Sequence, residues 1–553
     1  MRLAGAGALA KTGKRHDLAL VLALGLVVST LAARWITQPG YTDAYYYYGS
    51  ALQLARGHGF TEPYLWNYLN PQTTTADNAH RWPSHLYWMP LPAMIAAPGM
   101  AVAEAVAGRA LAPALLFRVA QVPFGLLAAL LPLLSYAAAL RLTGRRRHAW
   151  AAALLTLFSP YYLIYWMTTE AFALYGVVTA GALLAAYQAA QSPQHATRWL
   201  FAAGVGAGLA HLTRADGVLV GACIGLWWAG SGRPLRPGRA AAGQRKLGQL
   251  ALLAAGYLLV MGPWFARNLL TVGALLPAGG LRATWLVDYD DLFTFHPETL
   301  TAARFFAAGW AVLLAGKWAA LQTNAASFVA VQTNLIGFPL LVLGAWRLRR
   351  HPLLHLTGLY ALALFALMTF VFTLPGERGG FLHSSVALLP VGWAVMLAGL
   401  DAAVEAAARR LPHWQPARAR PVFTALLVLV SVALAAYQTV PRLGAWDGRD
   451  SVYPPAGFVV AAADSAAVVT VNNPPGWYFH TGQPAIVIPT GGRADLLAAM
   501  TRYGSRWLVL DHNHPPGLAG LYAAPQADSD LTLIATLGGA DAPVYVLELA
   551  EQP

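Results

Sequence analysis

Long runs of apolar residues broken by short polar stretches set the pattern of roughly the first 440 positions. Most runs approach the ~20 residues a helix needs to cross a bilayer. They fall at 17–36, 114–140, 149–167, 171–191, 199–213, 216–231, 247–266, 325–346, 353–374, 385–403 and 421–439. The pair 199–213 and 216–231 is short and Gly-rich, which predicts a tightly packed or tilted hairpin. The apolar stretch 89–107 opens with MPLPAMIAAPGM, whose three prolines suit a continuous helix poorly, so it reads as a juxtamembrane or re-entrant element. After Pro441 the period changes: FVVAAA, AAVVTV, AIVIP, RWLVLD, LTLIATL and PVYVLEL read as short strands, and RADLLAAMTRYG reads as a helix. The prediction is an α-helical polytopic membrane protein with about 11 transmembrane helices over 1–441. A first extracytoplasmic loop spans 37–113, and a small α/β domain covers 442–553.

Composition supports this reading. Of 553 residues, 57% are hydrophobic and 11% charged, with a mean hydropathy of +0.48, too few polar residues to clothe a soluble globule of this size. The net charge of +13 suggests a nucleic-acid partner only until the charges are located. Arg2 and the stretches 11–15, 141–147, Arg198, 233–246, 347–350 and 409–420 hold 21 of the 37 Lys and Arg and no acid, so they mark cytoplasmic loops. The first run, 17–36, has the basic flank of a signal peptide but no clear cleavage site before a soluble domain, so it reads as an uncleaved first helix. The N-terminus is then cytoplasmic and the C-terminal domain extracytoplasmic, in a multi-pass protein of the plasma membrane. The single Cys223 lies inside an apolar run, which rules out an intrachain disulfide. There is no Walker A loop and no dinucleotide fingerprint, so a nucleotide donor bound inside is unsupported.

This topology puts most of the scarce ionisable residues on one side. Asp43, Glu62, Asp77, Glu170, Arg214, Asp216, Arg267, Asp288, Asp290, Asp291, Glu377, Arg378 and His383 face outward, while Asp17, Asp401 and Glu405 lie near the inner face. Ionisable groups at membrane depth are costly and tend to mark function. Asp43 follows the first run directly and precedes the tyrosines 45–48, whose rings suit a membrane interface. A carboxylate partly screened there can take a proton from a hydroxyl. His58, His80 and His85 share the first loop, and DHNHP at 511–515 reads as a turn.

An Asp just after the first run, a long aromatic outer loop, LTRADG at 212–217, PWFARN at 263–268 and ERGGFLHSSVALLP at 377–390 together resemble the GT-C glycosyltransferases. The similarity is to the branch with the protein O-mannosyltransferases and the bacterial aminoarabinose transferase, and it covers roughly 10–440. It implies an inverting enzyme that moves a sugar from a polyprenyl-phosphate-linked donor to a protein, lipid or glycan hydroxyl at the outer face. Asp43 would be the catalytic base, with Glu170 orienting the acceptor or assisting. Arg214, Arg267 and Arg378 would face the lipid phosphate, since guanidinium forks match phosphate oxygens. Tyr46, His58, His85, Asp216, Asn268 and His383 complete the substrate-binding candidates. Unlike metal-dependent oligosaccharyltransferases, this chain has no DxD near Glu170; the acidic triplet at Asp288, Asp290 and Asp291 lies in another loop. No metal ligands are assigned, and an obligatory divalent metal is not expected. The rival readings are a transporter or flippase and a polymerase of lipid-linked glycans. A transporter would be expected to show inverted repeats and midplane charge, whereas the polar groups here gather on one face.

Overall fold

The computed structural model describes residues 2–70, 80–230, 239–446, 448 and 450–550; of 2–14 and 239–243 it describes the backbone alone. Asp77 and the first part of the basic run 233–246 lie outside the described residues. The chain divides into two compact units. One is Met1–Trp35, Gln121–Trp264 and Ala319–Leu443; the other is Ile36–Ala120, Phe265–Trp318 and Gly444–Pro553.

The protein is a helical, polytopic membrane protein. Among the described residues, seven helices are long and apolar enough to cross a bilayer: Arg15–Trp35, Pro113–Thr143, Ala171–Gln191, Gln244–Val272, Pro352–Phe370, Thr373–Ala408 and Pro416–Gly444. The other four expected runs are shorter or broken. The run 149–167 gives the helix Arg146–Leu157, which stops before Ser159-Pro160 and continues as a single 3₁₀ stretch, Leu163–Met167, because a residue ahead of proline is pushed out of helical geometry. The run 325–346 is interrupted by a π-helical turn at Phe328–Gln332 and by left-handed backbone at Asn334 and Leu335, and resumes at Phe338–Arg347. Ala196–Thr213 has 18 residues and Val218–Gly230 has 13. The stretch 89–107 forms the helix Leu91–Ala107, with Pro92 in its first turn, where a missing N–H is harmless.

The first unit is packed from Ala, Leu and aromatic side chains of these helices. Its tightest crossing joins Phe338–Arg347 to Leu389–Ala408. A Cβ on Gly344 would strike the Val395 carbonyl, and one on Gly399 would strike the Leu340 carbonyl, so each helix needs glycine where the other's backbone passes. One end of this unit gathers the basic runs. Asp401 there faces Arg147 (2.5 Å), His148 (3.0 Å), Arg420 (3.8 Å) and Arg145. Asp17 pairs with Arg146 (2.5 Å), and Glu405 pairs with Arg347 and Arg420, both at 2.7 Å.

The second unit is built on a six-stranded sheet. Its strands are β2 (Tyr64–Leu65), β4 (Val468–Val471), β5 (Ala485–Val487), β6 (Ser505–Leu510), β7 (Leu531–Leu537) and β8 (Val544–Leu549), in the order β2-β5-β4-β6-β8-β7. The pairs among β2, β5, β4 and β6 are parallel, and β8 and β7 close the sheet antiparallel. Helices Pro474–Thr481 and Arg493–Tyr503 make the crossovers that parallel strands require. Trp507 and Val509 pack with Tyr453, Val460 and Trp477 on one face, while Leu508 and Leu510 pack with Leu496, Met500 and Leu518 on the other. This alternation gives a three-layer α/β arrangement. Five of the six strand-like runs are strands. FVVAAA is instead the end of the helix Tyr453–Ala463, which Pro454-Pro455 start and the alanines favour. The edge strand β2 comes from the first loop, so residues 442–553, expected to stand as a domain of their own, share a sheet with residues 64–65. Two further strands of that loop, β1 (Thr61–Glu62) and β3 (Trp82–Pro83), pair antiparallel.

Candidate active site

In the second unit the sequence YTDAYYYYGSALQLA forms the helix Thr42–Ala55, with Asp43 half-buried in its first turn. The positive end of the helix dipole lies at this turn, a favourable place for a carboxylate. The four tyrosines expected as an interfacial belt are core residues instead, each no more than 2% exposed. Tyr45 donates to Asp450 (2.8 Å) and lies 3.2 Å from Nε2 of His480. Tyr46 accepts the His85 backbone N–H at 2.7 Å and packs its ring against His85 and Trp88. Trp88 in turn stacks on Trp66 at 3.8 Å. A bidentate ion pair from Arg56 to Glu104 (2.8 and 3.1 Å) ties the far end of the helix to Leu91–Ala107. The first turn that carries Asp43 therefore continues into a helix fixed on several sides.

Next to Tyr46 lies a buried polar group centred on Glu62. Burial lifts its carboxyl to about 8, against the Tyr46 hydrogen bond, the charge of Arg267 and the His85 N–H, all of which favour the ionised form. Burial, and then Arg267, hold the His85 imidazole down to about 3, so it is neutral, and its Nδ1 lies 3.3 Å from the Trp88 carbonyl. Arg267 donates to the Ser84 and Phe60 carbonyls (2.9 and 3.3 Å) and to Oδ1 of Asn268 (3.1 Å), which ties together two segments of the first loop. Asn268 is fully buried and donates to the Leu275 carbonyl at 3.1 Å. His58 is exposed, with Nδ1 2.8 Å from Oε1 of Gln53.

In the first unit a second cluster forms around Arg214, which follows the helix Ala196–Thr213 in extended conformation. Its Nε donates to Asp216 (3.1 Å) and to Oγ of Ser384 (2.8 Å), and its Nη1 lies 3.0 Å from Nδ1 of His383. With an arginine donating, that nitrogen is the imidazole's acceptor. Glu170 caps the helix Ala171–Gln191 by accepting the Ala171 N–H, is 2% exposed, and lies 3.8 Å from the same His383 nitrogen. The His383 ring rests on Phe172 at 4.3 Å. Arg378 is exposed on the turn Gly376–Gly380, where Gly379 takes a φ of 129° that favours glycine.

The residues singled out in the sequence thus fall into two groups. Tyr46, His85 and Arg267 surround Glu62 in one unit, with Asn268 bound to Arg267, and Tyr46 is three residues along the helix from Asp43. Arg214, Asp216 and His383 form one hydrogen-bonded group in the other, with Glu170 3.8 Å from His383. His58 lies by Gln53 instead. Glu62, Ser384, Asp450 and His480 were not among the candidate site residues. The signals for Glu62 and Ser384 were faint but present: an acid inside an aromatic loop of an acid-poor chain, and a serine adjoining His383. Asp450 and His480 had no local signal.

The helical architecture and the attached α/β unit define the class: this is the fold of the GT-C glycosyltransferases. The oligosaccharyltransferase AglB of Archaeoglobus fulgidus, solved with an inhibitory peptide and a dolichol-phosphate, superposes with a TM-score of 0.59 over 90% of this chain and 70% of its own, at 13% identity. ArnT of Cupriavidus metallidurans bound to undecaprenyl phosphate superposes with a TM-score of 0.53 over 97% of this chain and 98% of its own, at 17% identity. At these identities the likeness is one of fold. No family model matches the chain, and no curated protein matches it by sequence.

Proposed function

We propose that this chain is an inverting glycosyltransferase that moves a sugar from a polyprenyl-phosphate-linked donor to a hydroxyl of a protein, lipid or glycan acceptor. The observation that carries the reading is the end-to-end fold match to ArnT, a protein solved with undecaprenyl phosphate; the dolichol-phosphate bound to AglB supports the same class of carrier. In this reading Asp43, in the first turn of its helix, accepts the proton of the acceptor hydroxyl as that oxygen bonds to the anomeric carbon. The anomeric carbon's bond to the phosphate oxygen breaks on the opposite side, the configuration inverts, and the polyprenyl phosphate departs with the bonding electrons. Arg214 is the favoured partner for the leaving phosphate, since its side chain is held by Asp216 and Ser384 and presents a fixed fork. Arg267, already donating to two loop carbonyls, positions the first loop, and Arg378 meets the donor from its exposed turn. Glu170 orients the acceptor, with Tyr46, His58, His85, Asp216, Asn268 and His383 as further substrate contacts. Transfer without an obligatory divalent metal is part of the same proposal. By the positive-inside rule the basic end is cytoplasmic and the reaction belongs to the outer face of the plasma membrane.

The test is to offer the purified chain in lipid a panel of polyprenyl-phosphate sugars together with hydroxyl acceptors. The expected result is a glycosylated product with one polyprenyl phosphate released per transfer, undiminished by a chelator. Movement of intact lipid-linked sugar across the bilayer without cleavage would replace this reading with a flippase.

A further inference from the structure

A cavity of about 410 Å³ opens in the first unit, far from Arg214 and Glu170. Its walls come from the ends of five helices, with Ala196 opening Ala196–Thr213. Trp227 and Trp228 close Val218–Gly230; Arg245, Lys246 and Gln249 open the span Gln244–Val272; His355 is in the first turns of Pro352–Phe370; and Ala189 and Ala190 end Ala171–Gln191. Ala189 lies on the same helix that Glu170 caps, roughly 28 Å along it at 1.5 Å per residue. That is about the thickness of a bilayer's hydrocarbon layer.

The lining has two characters. Trp and Ala side chains make an apolar wall, and Trp228 donates to Oε1 of the buried Gln249 at 3.2 Å, which fixes the indole in place. Arg245 and Lys246 stand at the rim, with the Lys246 ammonium 3.2 Å from the Ala229 carbonyl. Among the described residues no acid lines the cavity, and in the sequence the stretch 233–246, which ends in Arg245 and Lys246, carries five cations and no acid. The same end of the unit carries the basic runs around Asp401 and Glu405. An apolar wall with a cationic rim, at the end of membrane-length helices, matches an anionic amphiphile. Its volume is within the range of a small-ligand pocket, ~300–1,000 Å³.

We propose that this cavity holds the headgroup and first acyl carbons of an anionic phospholipid from the leaflet at the basic end. The phosphate meets Arg245 and Lys246, and the glycerol and acyl carbons lie against Trp227, Trp228 and the alanines. The site is separate from the transfer chemistry and does not rest on it.

The test uses the full-length chain in detergent micelles, with phosphatidylglycerol and phosphatidylcholine offered at equal mole fraction and retained lipid read by native mass spectrometry. At about fivefold per cation, the value of ~1 kcal/mol for a basic residue near an anionic surface, the native chain retains phosphatidylglycerol about thirtyfold better. Arg245→Gln with Lys246→Gln brings the ratio close to one. Because Arg245 is exposed, Arg245→Gln alone keeps the fold and lowers the ratio about fivefold. Equal retention of the two lipids by the native chain overturns the proposal, as does a preference that survives the double substitution. Full displacement of bound phosphatidylglycerol by free glycerol 3-phosphate would assign the cavity to a soluble anion instead.

Discussion

Asp401 and Glu170 are acids of nearly equal burial, 1% and 2% exposed, near the two ends of the same helical unit, and they are held in different ways. Asp401 faces three guanidiniums and an imidazole. Glu170 faces a backbone N–H at its own helix start and an imidazole already engaged by Arg214, with a second carboxylate, Asp216, on that same arginine. A buried charge is tolerable when neighbours repay its lost hydration, and Asp401 is compensated several times over. At the other end one guanidinium holds Asp216 and the His383 imidazole, with Glu170 3.8 Å from that imidazole, and buried ionisable groups at membrane depth commonly mark functional sites. The contrast teaches that burial alone does not fix how an acid is held; the number and sign of its partners do.

The largest expected effect comes from breaking the compensated end. Asp401→Ala leaves its arginines and His148 facing one another without a counter-ion, and should lower stability by about 3–5 kcal/mol, read as a fall in the thermal midpoint of the purified chain. Arg214→Gln probes the other end. It should cut sugar transfer on the order of 100-fold, as loss of a preorganised donor to a developing anion does, while the thermal midpoint moves far less than for Asp401→Ala. If the two substitutions exchanged signatures, the contrast between the ends would be reversed. Gly399→Ala tests packing where neither charge acts. Its Cβ meets the Leu340 carbonyl, so overpacking should destabilise by about 1–3 kcal/mol, and the damage should be the same in high and low salt.

The smallest effect is a pH dependence in the second unit. Glu62 titrates near 8 in the folded chain against 4.5 for a free glutamate, so the folded state holds a proton that the unfolded state has lost, and stability falls as pH rises through this window. His85 works in the opposite direction. Its folded value near 3, against 6.5, means the unfolded chain binds the extra proton, so stability rises with pH between those values. The two oppose each other between about 4.5 and 6.5, and Glu62 acts without that opposition between about 6.5 and 8. Thermal midpoints should decline over that upper range, and Glu62→Gln should flatten the decline.

The membrane helices were legible because apolar length is a strong signal, and most strands of the α/β unit because short apolar runs bounded by Asp, Asn, Pro and Gly are. LTRADG and ERGGFLHSS announced Arg214, Asp216 and His383. The rest was hidden for identifiable reasons. The breaks at Pro160 and at Asn334-Leu335 fall inside apolar runs that hydropathy alone reads as continuous. β2 is two residues long and takes its partner from position 485, so no local pattern could call it a strand. The hydrogen bond from Tyr45 to Asp450 spans 405 residues, and it turns an aromatic run that looks interfacial into the core of a folded unit. FVVAAA has the composition of a strand, but its two preceding prolines start a helix.

The central claim is that this chain transfers sugar with Asp43 as the base. Its most direct test compares turnover of a polyprenyl-phosphate sugar by the native chain and by Asp43→Asn, each shown to be folded by its thermal midpoint. The account predicts glycosylated product from the native chain and a loss on the order of 100-fold in the variant, which keeps the shape of the side chain but not its ability to take a proton. Equal turnover by the two proteins would contradict it.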